Sequence, residues 1–261
     1  MRSLDIAATG MLAQQLNVEV ISNNIANINT TAFKRQRAEF QDLLYQNERR
    51  VGSTSSDTGT VVPAGVQIGI GVKAAAVYRI TEQGNMLKTD NSLDVAIQGR
   101  GFFQVKLADG TIAYTRAGSF QLSPTGEIVT ADGLIVQPGI TLPTDTTAIS
   151  VNASGQVLAT VPSQAQPQNV GTLELANFAN EAGLENLGDN LLRETAASGA
   201  PQQGVPGSTG FGKLLQGFLE TSNVNVVSEI TNLITAQRAY EMNSKVIQAS
   251  DEMSRTVSNF H

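Results

Sequence analysis

The sequence predicts an α+β chain: N- and C-terminal helices forming a coiled-coil-like assembly domain, with an all-β module inserted between them. Matching patterns at the two ends, and a different texture in the middle, carry this prediction. Near the start, Leu4, Met11, Val18 and Ile25 recur every seven residues, with Ile21 and Ile28 on a neighbouring line. Near the finish, Leu219, Val226, Leu233, Tyr240 and Ile247 do the same, before the register slips by one to Val246, Met253 and Phe260. A seven-residue repeat keeps one stripe of a helix facing a partner, and the slip is what a turn of about 3.6 residues produces against a repeat of about 3.5. Helices at both termini can pair with each other and keep sides free for further copies.

Residues 1–33 form the first segment, with a helix read from residue 3 to about 28, roughly 40 Å long at about 1.5 Å per residue. Up to Phe33 only Arg2, Asp5 and Glu19 are charged, few for a helix bathed in solvent. The cluster Asn27-Ile28-Asn29-Thr30-Thr31 favours turns and stops it. Residues 34–71 read as a connecting segment. A basic, amphipathic stretch from Phe33 to Arg50 has Phe40, Leu43 and Leu44 on its apolar side, and a Gly-, Ser- and Thr-rich extended arm then ends at Gly71.

From 72 to 197 short strands are expected at Leu93–Ile97, Phe102–Leu107, Ile112–Thr115, Phe120–Leu122, Ile128–Thr130 and Leu134–Val136. Asp109-Gly110, Pro124-Thr125-Gly126 and Asp132-Gly133 punctuate them, and Phe103, Val105 and Leu107 alternate with Gln104 and Lys106. Period-two alternation with a turn every 8–12 residues or so indicates a sandwich or barrel-like β module. A Gly/Pro/Ser-rich return linker covers 198–218. The terminal helix, with a pattern starting near Leu214, is assigned to 219–261.

Composition excludes several chemistries. The 261 residues include no Cys, no Trp and one His, at the last position. Disulfide scaffolds, thiol catalysis, zinc fingers and His-based general base chemistry fall away. The formal charge of −6 argues against nucleic acid, whose binding needs basic patches. With 15% charged residues and many small polar ones, the surface is expected to meet protein more than water. No apolar run is long enough to span a membrane. Ile6–Ala13 has the look of a signal-peptide core, yet Asp5 precedes it, Gln14 and Gln15 follow, and the heptad runs through, so no cleaved signal is expected.

A search for reactive constellations yields no catalytic, cofactor or metal site. The glycines of Gly65–Gly71 and Gly99-Arg100-Gly101 lack the Gly-Lys-Ser/Thr and βαβ contexts of phosphate loops and read as turns. Asp90 and Asp94 read as strand ends, and Lys34-Arg35-Gln36-Arg37 and Arg49-Arg50 as solvated faces. The asparagines stand out: Asn17, Asn23, Asn24 and Asn27 by the first helix, and Asn223, Asn225, Asn232 and Asn243 by the last. Asn is a mediocre helix former. Two readings stay open, end capping (suited to Asn27 and Asn223) and buried amides that hydrogen-bond across helices and fix their register.

The same residues carry a resemblance. Ser22-Asn23-Asn24-Ile25-Ala26-Asn27 followed by Thr30-Thr31-Ala32-Phe33-Lys34-Arg35 resembles the N-terminal signature of the bacterial flagellar rod and hook proteins. Ser222-Asn223-Val224-Asn225 and Gln237-Arg238-Ala239-Tyr240-Glu241-Met242-Asn243 resemble the C-terminal one. Gly99-Arg100-Gly101-Phe102-Phe103, Tyr114-Thr115-Arg116-Ala117-Gly118-Ser119-Phe120 and Ser198-Gly199-Ala200-Pro201 resemble the central module. The likeness is colinear from end to end. The length fits a rod subunit better than the larger hook subunit, and Pro63, Gly65, Gln67 and Gly69 resemble an arm that packs between neighbouring subunits of one rod branch.

The resemblance implies a structural subunit, not an enzyme, with no cofactor or metal. It would be exported unfolded by the flagellar type III export apparatus and polymerise under a rod cap into the hollow distal rod, crossing the periplasm and transmitting torque. Implied partners are further copies of the chain (a helical homo-oligomer), the proximal rod and hook subunits, the cap and the outer-envelope ring proteins, with no nucleic acid and no membrane insertion. Phe40, Leu43 and Leu44 resemble the apolar positions of an export-gate motif, and one face of a small amphipathic helix explains them equally well. The assembly interface is expected at Leu4, Met11, Val18, Ile21, Asn23, Asn24, Ile25 and Asn27, and at Val226, Ile230, Leu233, Tyr240, Ile247 and Met253. A proximal rod or hook-type subunit is the nearest alternative. From another class, a secreted glycan-binding or glycan-cleaving β domain on a helical stalk is disfavoured by the absent Trp and 5% aromatic content.

Overall fold

The chain divides into two compact units, and its path changes unit at four points: the first comprises 1–26, 36–79 and 225–261, the second 27–35 and 80–224. A computed structural model describes residues 2–49, 64–162 and 166–258. Pro63 of the expected arm, and Phe260 and His261 at the far end, lie outside the described residues.

The first unit contains α1 (Arg2–Ala26) and α2 (Val226–Ser258). Asp5 in the first turn of α1 and Arg255 in the last turn of α2 complement the helix dipoles. α1 ends where the Thr30 N–H bonds back to the Asn27 carbonyl at 3.2 Å. α2 starts later than its apolar pattern suggests. Asn225 is its cap, accepting the Ser228 N–H on Oδ1 at 3.2 Å and the Glu229 N–H on its carbonyl at 3.0 Å. Leu214 and Leu219, expected in this helix, belong to strands instead.

Between the helices run β1 (Gln36–Asp42), β2 (Tyr45–Arg49), β3 (Val66–Gly69) and β4 (Val72–Arg79). β1 pairs with β4 from Gln36↔Arg79 to Asp42↔Val72, and β2 with β3 from Tyr45↔Gly69 to Arg49↔Val66, both antiparallel. The amphipathic helix allowed for the Phe33–Arg50 stretch is thus two strands. Gln36, Ala38 and Phe40 are partly covered while Arg37, Glu39 and Gln41 face out, a period of two. Residues 66–69 are likewise a paired strand and not a lone extended arm. β4 belongs with the helices, because α1 packs against both β1 and β4.

The second unit carries β5 (Met86–Lys88), β6 (Val95–Gln98), β7 (Phe102–Lys106), β8 (Ile112–Thr115), β9 (Gln121–Leu122), β10 (Ile128–Val129), β11 (Ile135–Val136), β12 (Ala148–Val151), β13 (Gln156–Thr160) and β14 (Gln168–Thr172). It continues with β15 (Leu175–Asn177), β16 (Glu185–Gly188), β17 (Leu191–Arg193), β18 (Gln202–Gly204), β19 (Lys213–Gln216) and β20 (Phe218–Glu220). The largest sheet runs β16-β17-β8-β7-β11-β10-β9, with β15 beside β7 and β18 beside β15; β12-β13-β14 is a separate three-stranded meander. β19 pairs with β6 and β20 with β5. The passage 198–218 is therefore part of the module, and the module spans 80–224 rather than 72–197.

Its core joins Ile97, Phe103, Val105, Phe120, Val157 and Leu175, all at most 2% exposed. The Phe103 and Phe120 rings meet edge to face at 5.0 Å. Beside it, Gly118 permits the close approach of the Val95 backbone, since a Cβ there would fall 1.7 Å from the Val95 carbonyl oxygen. A smaller cluster holds Phe102, Tyr114, Phe178 and Leu184. Burial, with Glu194 beside the phenol, pushes the Tyr114 pKa up to about 12. In an alkaline absorbance titration Tyr114 should therefore ionise well above the ordinary range of a phenol, and Phe178→Ala should bring its transition forward.

Candidate assembly interface

The two helices of the first unit meet along a row that the apolar heptads do not include. Ser250 donates to the Ser3 hydroxyl at 3.1 Å, Asn243 lies against Gly10, and Asn24 Nδ2 donates to Glu229 Oε2 at 3.2 Å. Asn24, only 1% exposed, is a three-way clamp. Its Oδ1 accepts the Gln36 N–H and its Nδ2 also donates to the Gln36 carbonyl, both at 2.8 Å. It thereby joins the end of α1, the start of β1 and the first turn of α2. The buried-amide reading holds for Asn24; Asn27 sits in the turn after α1.

The apolar residues expected at the interface lie to either side of this polar row. Ile21 is buried; Leu4, Met11, Val18, Ile25, Asn27, Leu233 and Ile247 are half-buried. Asn23, Val226, Ile230, Tyr240 and Met253 are exposed. Leu12, Val227, Ile234 and Met242, which the heptad reading did not single out, are exposed as well, and so is Val246 of the slipped register. The pairing of one chain's own helices leaves most of α2's apolar surface uncovered. Of the arm, Gly65 and Gly69 are half-buried and Gln67 exposed; Phe40 and Leu43 are half-buried and Leu44 exposed.

The second unit closes on a charged knot. Glu220, 1% exposed, accepts from Arg116 Nε at 2.9 Å, from the Gly84 N–H at 2.9 Å and from Lys34. Lys34 also donates to the Glu82 carbonyl at 2.8 Å. Arg116 also donates from its terminal nitrogens to the carbonyls of Ile97, Gly99 and Gly101. Burial pushes the Glu220 carboxyl up, but Arg116 and Lys34 outweigh it and hold the group below its ordinary range. Burial dominates at Lys34 and lowers its pKa against the pull of Glu220. Beside the knot, Ala32 adopts φ 59° and its N–H reaches the Glu220 carbonyl at 2.8 Å.

Asn223, expected as a helix cap, is instead a strand clamp. Its Oδ1 takes the Arg35 N–H at 2.7 Å while Nδ2 donates to the carbonyls of Ile80 and Glu82, each at 2.9 Å. The cap role passes to Asn225 because two further residues separate Asn223 from the first turn of α2. Asn223→Ala should cost roughly 1–3 kcal/mol by leaving these backbone groups unpaired, measurable by chemical denaturation of the full chain.

Known families follow the same layout. The flagella basal body rod protein family matches residues 4–34, the flagellar hook protein FlgE/F/G D1 domain 96–159, and the flagellar basal body rod FlgEFG protein C-terminal family 215–260. The flagellar basal-body rod protein FlgG of Caulobacter vibrioides is 61% identical over 258 residues, 99% of this chain and 98% of that protein. The FlgG of Bacillus subtilis is 39% identical over 99% of this chain and 98% of its own length. The flagellar hook-basal body complex protein FlhP of the same organism reaches 28% over 97% of each. The chain belongs to the flagellar rod and hook family, in its distal-rod FlgG branch. As such it is a structural subunit of the basal-body rod, and the full-length match decides against the glycan-binding alternative.

Membership in the rod family makes sense of the signatures residue by residue. The N-terminal signature supplies the Asn24 clamp, the left-handed Ala32 and Lys34 of the knot; the C-terminal one supplies Asn223 and the Asn225 cap. Glu220 and Arg116 were not legible as site residues. They lie 186 and 104 positions respectively, in the Lys34–Glu220 and Arg116–Glu220 pairs, from the partners they meet. No helix among the described residues is long and apolar enough to cross a membrane.

Proposed function

We propose that copies of this chain polymerise through the uncovered apolar rows of α1 and α2 into the hollow, straight distal rod, which crosses the periplasm and carries torque from motor to hook. One observation carries the reading: the chain's own helix seam is small and polar, and the apolar rows are left over. Val226, Ile230, Ile234, Tyr240, Met242 and Met253 are 41–61% exposed, apolar surface on more than one side of α2 that a monomer would not keep in water. Covering them with a neighbour is favourable by about 25 cal/mol per Å² of apolar area. The subunit works by packing alone, with no catalysis and no cofactor.

The finer assignments follow from the family likeness. Gly65, Gln67 and Gly69, beside Pro63, would form the arm between neighbouring copies. Phe40, Leu43 and Leu44 would be read by the export apparatus in the unfolded chain, before β1 forms. The cap, the proximal rod, the hook and the outer-envelope rings are the remaining partners. Sedimentation with electron microscopy of the full chain tests the central point. Straight, hollow tubes above a critical concentration are expected. Small closed oligomers that saturably bind peptidoglycan fragments would return the reading to a β domain on a stalk.

A further inference from the structure

Heptad-patterned helices are degenerate, since a slide of one heptad brings the same rows face to face. The seam of α1 and α2 holds the means to break this degeneracy. Ser3 pairs with Ser250, Gly10 with Asn243 and Asn24 with Glu229. All three pairs share one antiparallel register, and the same seven-residue step sets Asn17 level with Ala236. Large thus faces small in the middle layers: glycine against asparagine, then asparagine against alanine. The fit at Gly10 is tight, for a Cβ there would come within 2.9 Å of Asn243 Nδ2.

We propose that this alternation of bulk, anchored by Asn24, is the register code of the helix pair. A slide of one heptad in one direction would put Asn17 against Asn243, two amides in a layer with room for one. A slide in the other direction would put Gly10 against Ala236, opening a void, and would carry Asn24 past the start of α2 to the level of Ser222. Asn24 combines Glu229 with both backbone groups of Gln36, which ties the observed register to the start of β1. A wrong slide moves α2 about 10 Å along α1. The apolar rows flanking the seam would then no longer be level. Resting on the polymer reading, the code is what presents each neighbour with a single continuous surface.

The chain has no cysteine, so engineered pairs report the register directly. In the full chain S3C/S250C should close a disulfide within one copy, seen as faster non-reducing migration with no dimer band. The slipped pair S3C/N243C should not close. Adding G10N to S3C/S250C should cut the crosslink about tenfold, the usual scale of an overpacked core position, and G10N/N243G should restore it. Failure of S3C/S250C to close, closure only between copies, or indifference to G10N would overturn the code. An intramolecular crosslink in a chain that never sediments as polymer would leave the code standing and sink the polymer reading instead.

Discussion

Glu220→Gln should destabilise the second unit by about 3–5 kcal/mol, because it leaves the buried Lys34 and Arg116 charges without their common partner. For a unit of this size that is a drop of roughly 6–20 °C in its melting temperature. The loss should be nearly the same at low and high salt, since a buried pair is poorly screened. The wild type carries a matching pH signature. The folded-state pKa of Glu220 lies below its ordinary value of 4.5, so between the two the folded state binds fewer protons than the unfolded chain. The contribution of Glu220 is therefore complete above 4.5 and is lost as pH falls through the lower folded value. Thermal unfolding from pH 7 down to about 3 should show a steeper fall in the wild type than in Glu220→Gln. Parallel curves would mean that the knot contributes nothing to acid sensitivity.

Leu233→Asp should abolish polymerisation while leaving the β module folded. Leu233 sits half-buried on α2, in the apolar row beside the polar seam. Removing such a side chain from an interface forfeits about 1.5–3 kcal/mol, and the new carboxylate must be desolvated as well. Each factor of ten in affinity is about 1.4 kcal/mol, so the critical concentration for tubes should rise 100-fold or more. Near-ultraviolet circular dichroism of the second unit should be unchanged, which separates a blocked interface from a misfolded chain. Tubes formed at the wild-type concentration would remove this row from the interface.

Much of this architecture is legible in the sequence, and the misreadings share a physical cause. The heptads locate both helices, and the period-two runs locate β6 to β11 to within two residues, because each pattern is local. The Phe33–Arg50 stretch is ambiguous: Phe40, Leu43 and Leu44 suit a helical face as well as a strand edge, and only pairing with β4 settles it. The ends of the β module depend on partners far away in sequence, as β19 on β6, and the start of α2 is set by a local polar cap, Asn225, that no apolar pattern marks. The apolar rows at Leu4 and Val226 draw attention to themselves, yet the seam inside the chain is the quieter polar row beside each. Asn24 is visible as an oddity in a helix; its partners Glu229 and Gln36 are not. Buried charge is the least legible feature, since Glu220 and Arg116 look like any surface residues until the fold encloses them.

The most direct test of the account is a helical reconstruction of the assembled polymer by electron cryomicroscopy. The account predicts that Asn24–Glu229 and Gly10–Asn243 remain within each copy, while Val226, Leu233, Tyr240 and Met253 are covered by neighbouring copies. A polymer whose copies touch only through their β modules, with those α2 residues facing solvent, would contradict it.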